Sequence, residues 1–162
     1  VKGAGFLLNN EMDDFSVKPG TPNQFGLVGG YANSIQPGKR MLSSMSPTIV
    51  SKDGRLYAVI GTPGGSTIIT ANLQTIVNLI DFGMTMEEAV LAPKMHSQWL
   101  PDEIYLEKGK FSRETISQLK TMGHVVKEVS ALGKLDCIKV LPDNSLQGGT
   151  DPAKGDGTIE GF

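Results

Sequence analysis

A glycine-rich break between a strand pair and a long apolar helix constrains this chain more than any other feature. Residues 48–51 and 56–61 are apolar-alternating runs joined by Lys52-Asp53-Gly54-Arg55. Asp-Gly between two such runs predicts a hairpin, because a turn that matches the strand twist needs positive φ at its central residues. The return run stops at Thr62-Pro63-Gly64-Gly65-Ser66, after which Ile68, Ile69, Leu73, Ile76, Val77 and Ile80 recur at helical spacing. Ser66 is placed to cap that helix and Gly83 to stop it. So many apolar positions predict a heavily buried helix, so the hairpin and the helix must pack on each other.

The flanking segments add to the same plan. Residues 5–9 form a short apolar run that reads as a strand delivering Asn9, Asn10, Glu11, Asp13 and Asp14 to its end. Residues 16–39 are rich in Gly and Pro and predict a long functional loop or lid. Thr85-Met86-Glu87-Glu88 has the capping-box pattern of a short helix that Pro93 ends. Residues 94–102 read as irregular, 104–107 as a strand, and 113–122 as a helix capped by Ser112. Residues 125–129 predict a further strand, and 135–141 with 146–148 a second hairpin, followed by a Gly- and Asp-rich tail. Strands before and after a central group of helices, paired as antiparallel hairpins, predict an α+β fold with helices layered on sheet, not a doubly wound parallel sheet.

Composition narrows the chemistry. The 162 residues suit a single unit, 1–162, with a sizeable core. Fifteen Lys and Arg against 17 Asp and Glu give a net charge of −2, which excludes a basic face for nucleic acid. One cysteine, Cys137, excludes a disulfide framework and a multi-cysteine zinc site. Two histidines leave little for a metal centre, and no metal or cofactor is expected. No secretory signal and no membrane-spanning apolar stretch is present. The chain begins at Val1, and Val1-Lys2-Gly3-Ala4 reads as the run-in to a strand, so the start is expected to be a cut made in processing or preparation.

Three clusters could carry chemistry. Gly64 and Gly65 lack Cβ atoms at a helix start, where backbone N–H groups could receive a carboxylate, a phosphate or an oxyanion. A tight turn with no ligand is the plainer reading of two glycines alone. The phosphate reading is weak, since neither Gly-Lys-Ser/Thr nor G-x-G-x-x-G is present. Ser43, Ser44 and Ser46 set three hydroxyls before a strand, either as carboxylate donors or as an ordinary capped turn. Glu11, Asp13 and Asp14 could bind an ammonium group or a cation, though not with calcium-loop spacing, and Asp13 reads as a solvated turn residue. His96 beside Trp99 reads as packing, His124 as a surface residue, and Cys137 as core. No side chain has the setting of an activated nucleophile.

At five places the chain resembles the C-terminal part of the small subunit of a bacterial gamma-glutamyltransferase. They are Leu7-Leu8-Asn9-Asn10-Glu11-Met12-Asp13-Asp14-Phe15, Leu42-Ser43-Ser44-Met45-Ser46-Pro47-Thr48-Ile49-Val50, Gly61-Thr62-Pro63-Gly64-Gly65-Ser66, Gln98-Trp99-Leu100-Pro101-Asp102-Glu103 and Thr150-Asp151-Pro152. The resemblance implies part of a four-layer αββα sandwich of the N-terminal-nucleophile hydrolase type. It implies a self-cleaving precursor, a large-subunit partner and a periplasmic or extracellular setting. It also implies gamma-glutamyl transfer or hydrolysis on glutathione and related donors, with water or an amino acid or peptide as acceptor. In that frame Asp14 with Glu11 holds the donor's α-ammonium, and Ser43 and Ser44 its α-carboxylate. The amides of Gly64 and Gly65 form the oxyanion hole, and the nucleophilic threonine is expected upstream of Val1. Thr67 and Ala153 stand where many relatives carry Arg. A related acylase, a poly-gamma-glutamate-processing enzyme and a non-catalytic fragment are the alternatives.

Overall fold

The computed structural model describes residues 2–152 and 157–160. Val1, Ala153 and part of the Gly- and Asp-rich tail lie outside them. The chain divides into two compact units, Val1–Ser43 and Ser44–Phe162.

Val1–Ser43 has almost no regular structure. Among its described residues the elements are two single 3-10 turns, Glu11–Asp14 and Tyr31–Asn33, and an isolated bridge between Pro22 and Val28. The strand expected over residues 5–9 is not formed; these residues are bent or irregular. A strand exists only with a ladder partner, and among the described residues of this unit that run has none. Leu7 is left 93% exposed and Leu8 68%. Asparagine side chains substitute for a ladder. The Asn23 Oδ1 accepts from the N–H groups of Phe25 (2.9 Å) and Leu27 (3.0 Å), and the Asn33 Oδ1 accepts from Leu42 N at 3.0 Å. Phe15 and Ser16 are buried, and the backbone of Gly29 passes so near that a Cβ there would overlap the Ser16 hydroxyl.

Ser44–Phe162 is regular. It runs β1 (Thr48–Lys52), β2 (Arg55–Gly61), α1 (Thr67–Ile80), α2 (Met86–Leu91), β3 (Met95–Ser97), β4 (Ile104–Glu107), α3 (Arg113–Thr121), β5 (Val126–Val129), β6 (Asp136–Val140) and β7 (Leu146–Thr150). One sheet has the order β1-β2-β6-β7 and is antiparallel throughout; the other has the order β3-β4-β5. The first hairpin turns at Asp53 and Gly54, with φ of 53° and 75° as its sequence demands. Thr85 and Glu88 complete the expected capping box of α2, and the Ser112 hydroxyl caps α3.

Three details depart from the sequence reading. Residues 95–97, expected to be irregular, form β3 and pair with β4. β4 and β5 run parallel, joined by α3 as the crossover, so the pairing is not antiparallel everywhere. Ser66 has helical dihedrals (φ −61°) and its side chain does not cap α1.

Alternation along β2 turns Ala58 and Ile60 inward, where they meet Leu79 of α1, Met86, Ala89 and Val90 of α2, Leu135, and Cys137 of β6. α2 lies so close on β7 that a Cβ at Gly149 would come within 2.7 Å of the Met86 carbonyl. The other face of the sheet carries the cross-strand row Ile49, Val59 and Ile138, all exposed. The class is α+β, as expected.

Candidate functional site

The glycine turn is built by its neighbours. β2 ends at Gly61, and α1 starts at Thr67. Gly64 has φ of +146° and Gly65 of +58°, the region that a side chain makes costly. A Cβ at Gly64 would also lie 2.5 Å from the Thr67 Oγ1 and 3.4 Å from the Gly133 Cα, so the 133 loop backs the turn. The Thr62 Oγ1 donates to the Pro63 carbonyl at 2.8 Å and accepts from Lys134 N at 2.6 Å. The Thr67 Oγ1 donates to the Gly64 carbonyl at 2.9 Å. Among the described residues neither the Gly64 nor the Gly65 N–H has an acceptor. Two amide donors therefore stand at the positive end of a 14-residue helix. Such an arrangement can stabilise a negative oxygen.

The serine pair falls at the division of the chain, Ser43 in the first unit and Ser44 in the second. Ser43 is exposed and Ser44 half-buried. The Ser44 carbonyl accepts from the Ser46 Oγ at 3.0 Å. The Ser46 carbonyl in turn accepts from the Asn72 Nδ2 of α1 at 2.5 Å. Asn72 is buried, and its Oδ1 has no hydrogen-bond partner among the described residues. This asparagine ties the segment behind Ser44 to the helix that heads the glycine turn. Its only signal in the sequence is a polar residue inside an apolar helix stripe.

Glu11, Asp13 and Asp14 share one 3-10 turn. Glu11 is exposed and Asp14 half-buried. The Asn33 Nδ2 donates to the Asp14 carbonyl at 2.7 Å while its Oδ1 accepts from Leu42 N at 3.0 Å. One asparagine thus fixes the acidic turn to the stretch that ends at Ser43, all within the first unit. Asp13 is not the solvated residue expected: its Oδ2 is buried and has no hydrogen-bond partner among the described residues.

His96 is buried, with Nδ1 2.8 Å from the Thr70 Oγ1 and Nε2 2.8 Å from the Gln98 Oε1, a packing role as read from sequence. His124 is exposed. Cys137 is buried and its thiol is pushed up to about 11 by desolvation, so it is inert rather than nucleophilic. Among the described residues no three His, Cys, Asp or Glu side chains assemble a metal site.

A buried ionic cluster had no counterpart in the sequence reading. Lys94 is 3% exposed. Its Nζ lies 3.1 Å from Asp151 and 4.0 Å from Glu107, and donates to the Val90 carbonyl at 2.7 Å. Glu107 also accepts from Lys94 N and from Leu132 N, both at 3.1 Å. Asp151 N donates to the Leu135 carbonyl at 2.9 Å. The cluster fixes the loop that holds Gly133 behind Gly64, and it explains structurally the Asp in Thr150-Asp151-Pro152.

Comparison with known proteins finds relatives along nearly the whole chain. The family model described as Gamma-glutamyltranspeptidase matches residues 1–161. The glutathione hydrolase proenzyme of Escherichia coli strain K12 is 54% identical over 159 residues, covering 98% of this chain and 27% of that protein. A solved variant of Helicobacter pylori gamma-glutamyltranspeptidase superposes with a TM-score of 0.89 at 52% identity, covering 95% of this chain and 84% of that one. The Pseudomonas nitroreducens enzyme in complex with L-DON gives 0.88 at 47% identity, covering 99% and 85%. The chain therefore spans about a quarter of the length of its curated E. coli relative (27%).

Proposed function

Because the chain belongs to the gamma-glutamyltranspeptidase family, with the α+β fold of the N-terminal-nucleophile hydrolases, we propose that the protein carrying it breaks the gamma-glutamyl amide bond of glutathione and related donors. The acyl group passes to water or to an amino acid or peptide. One observation in the structure carries most of this reading: the two amide donors of Gly64 and Gly65, without acceptors among the described residues, at the head of α1.

The roles are those the family resemblance implies, and the chemistry of each group suits them. Asp14, with Glu11, takes the donor's α-ammonium. The hydroxyls of Ser43 and Ser44 take its α-carboxylate. The N–H groups of Gly64 and Gly65 receive the oxygen of the γ-carbonyl as it becomes an oxyanion. Donors already oriented for that charge are worth about 3–4 kcal/mol each in the transition state, because they need no reorganisation as it forms. The nucleophile is a threonine at the start of a preceding segment, with its own amine as base. Its Oγ bonds the γ-carbonyl carbon, the C–N bond breaks, and the departing amine takes the proton. Water or an acceptor amine then cleaves the ester. This chain works as one portion of a small subunit, beside a large subunit cut from the same precursor, in the periplasm or outside the cell.

The test is release of chromophore from a gamma-glutamyl anilide by the complete protein. Turnover is expected. No turnover would overturn the reading, and equal turnover of a glutaryl anilide would point to an acylase, since that substrate has no ammonium for Asp14.

A further inference from the structure

We propose that Thr67 is a positioning residue for the oxyanion donors, with Thr62 acting on the preceding peptide; this deepens the functional reading above and rests on it. A peptide unit is rigid and planar, so its C=O and N–H point in opposite directions. Holding the carbonyl of one residue therefore aims the N–H of the next. The Gly64 carbonyl shares its peptide with the Gly65 N–H, and the Pro63 carbonyl shares its peptide with the Gly64 N–H. Both carbonyls are held by threonine hydroxyls: Gly64 by Thr67 at 2.9 Å, and Pro63 by Thr62 at 2.8 Å.

These tethers matter because glycine does not hold its own peptide plane. Gly64 and Gly65 sit at φ of +146° and +58°, and without a Cβ each can reach other wells at little cost. A flip of the Gly64–Gly65 peptide would swing the Gly65 N–H away and present a carbonyl oxygen to the developing negative charge. The backbone resists this with one bond, Thr67 N to the Gly64 carbonyl at 3.2 Å. The Thr67 hydroxyl adds a shorter second donor to the same oxygen. Thr62 has a further anchor of its own, since it accepts from Lys134 N at 2.6 Å. The tethers hold the peptides from the turn itself, and Gly133 closes the space behind Gly64. An arginine at position 67 has no hydroxyl to give, so the tether is a property of chains with Thr or Ser there.

The experiment compares the complete parent protein with Thr67→Val and Thr67→Ser. Valine keeps the shape of the side chain and removes the hydroxyl; serine restores it. With a gamma-glutamyl anilide, Thr67→Val should lower kcat roughly ten- to a hundredfold, part of the effect of losing one oxyanion donor. KM should stay within about twofold, because ground-state binding does not use the Gly65 N–H. Thr67→Ser should return kcat to near the parent value. A parent-like kcat in Thr67→Val overturns the proposal, and so does a Thr67→Ser variant as slow as Thr67→Val. Crystal structures of parent and Thr67→Val give a second, activity-independent readout. The Gly64–Gly65 peptide is expected in one orientation in the parent and in two in the variant; a single orientation in both overturns the tether. An inactive parent would overturn the functional reading, and the peptide orientation would then decide the tether alone.

Discussion

The acidic turn at residues 11–14 and the glycine turn at residues 63–66 offer opposite charges by opposite means. The first presents carboxylates on side chains of a single 3-10 turn, held by the Asn33 amide. The second presents backbone N–H dipoles, held by two threonine hydroxyls, a 14-residue helix and the loop at Gly133. The difference follows from range. A full charge attracts an ammonium over several ångströms and tolerates exposure and side-chain movement. A partial charge on an amide acts only within hydrogen-bond distance and direction, so its surroundings must be rigid. The regular unit supplies that rigidity, and the irregular one fixes its acidic turn more loosely, through the Asn33 amide.

The largest expected effect tests the rigid side of this contrast. Lys94→Ala removes the buried cation 3.1 Å from Asp151 and 4.0 Å from Glu107 and should destabilise the complete protein by about 3–5 kcal/mol, read from urea unfolding; a change under about 1 kcal/mol would mean the cluster behaves like a surface pair. Asp14→Ala comes next. It should raise donor KM about ten- to a hundredfold, from the loss of a charge-assisted contact worth about 1.5–3 kcal/mol, and leave the unfolding curve in place. Wild-type-like kinetics would remove Asp14 from the ammonium role. Asn33→Ala removes the bond that fixes the acidic turn and should cost about 1 kcal/mol, seen as a donor KM several times higher with kcat kept. A fall in kcat instead would show that the acidic turn also needs fixed geometry.

The smallest effect is one of pH. Burial raises the Cys137 thiol from 9.0 to about 11 in the folded chain. The unfolded chain therefore loses its thiol proton first as pH rises. The stability linked to this group is complete below about pH 9 and is lost progressively as pH rises toward 11. Iodoacetamide at pH 8 should leave Cys137 unmodified in the native protein and alkylate it in urea, followed by intact mass. Rapid alkylation of the native protein would place the thiol outside the core described.

Much of the regular unit was legible in the residues. Asp53-Gly54 marked a hairpin turn, Thr85 with Glu88 a capping box, and the isoleucine and leucine spacing after Ser66 a helix, because each is a short-range signal complete within a few residues. The misread segments depended on distant partners. Residues 5–9 have strand composition but no ladder partner among the described residues of their own unit. β3 exists because Met95, His96 and Ser97 meet Leu106, Tyr105 and Ile104 of β4. Asn33, Asn72 and Lys94 have ordinary local sequence, and their hydrogen bonds reach 19, 26 and 57 positions along the chain.

The sequence alone determined the α+β class, the order of the hairpin, glycine turn and helix, and the chemical types at hand: carboxylates, hydroxyls and two glycine amides. Those follow from residue identity and short spacing. Only the tertiary structure decided which way the glycine peptides face, because that depends on hydroxyl bonds from Thr62 and Thr67 and on Gly133 from 69 residues beyond Gly64. It alone also decided that Lys94 is buried with Asp151 and Glu107. A buried charge is tolerated only where its partners are brought to it, and no local pattern records that meeting.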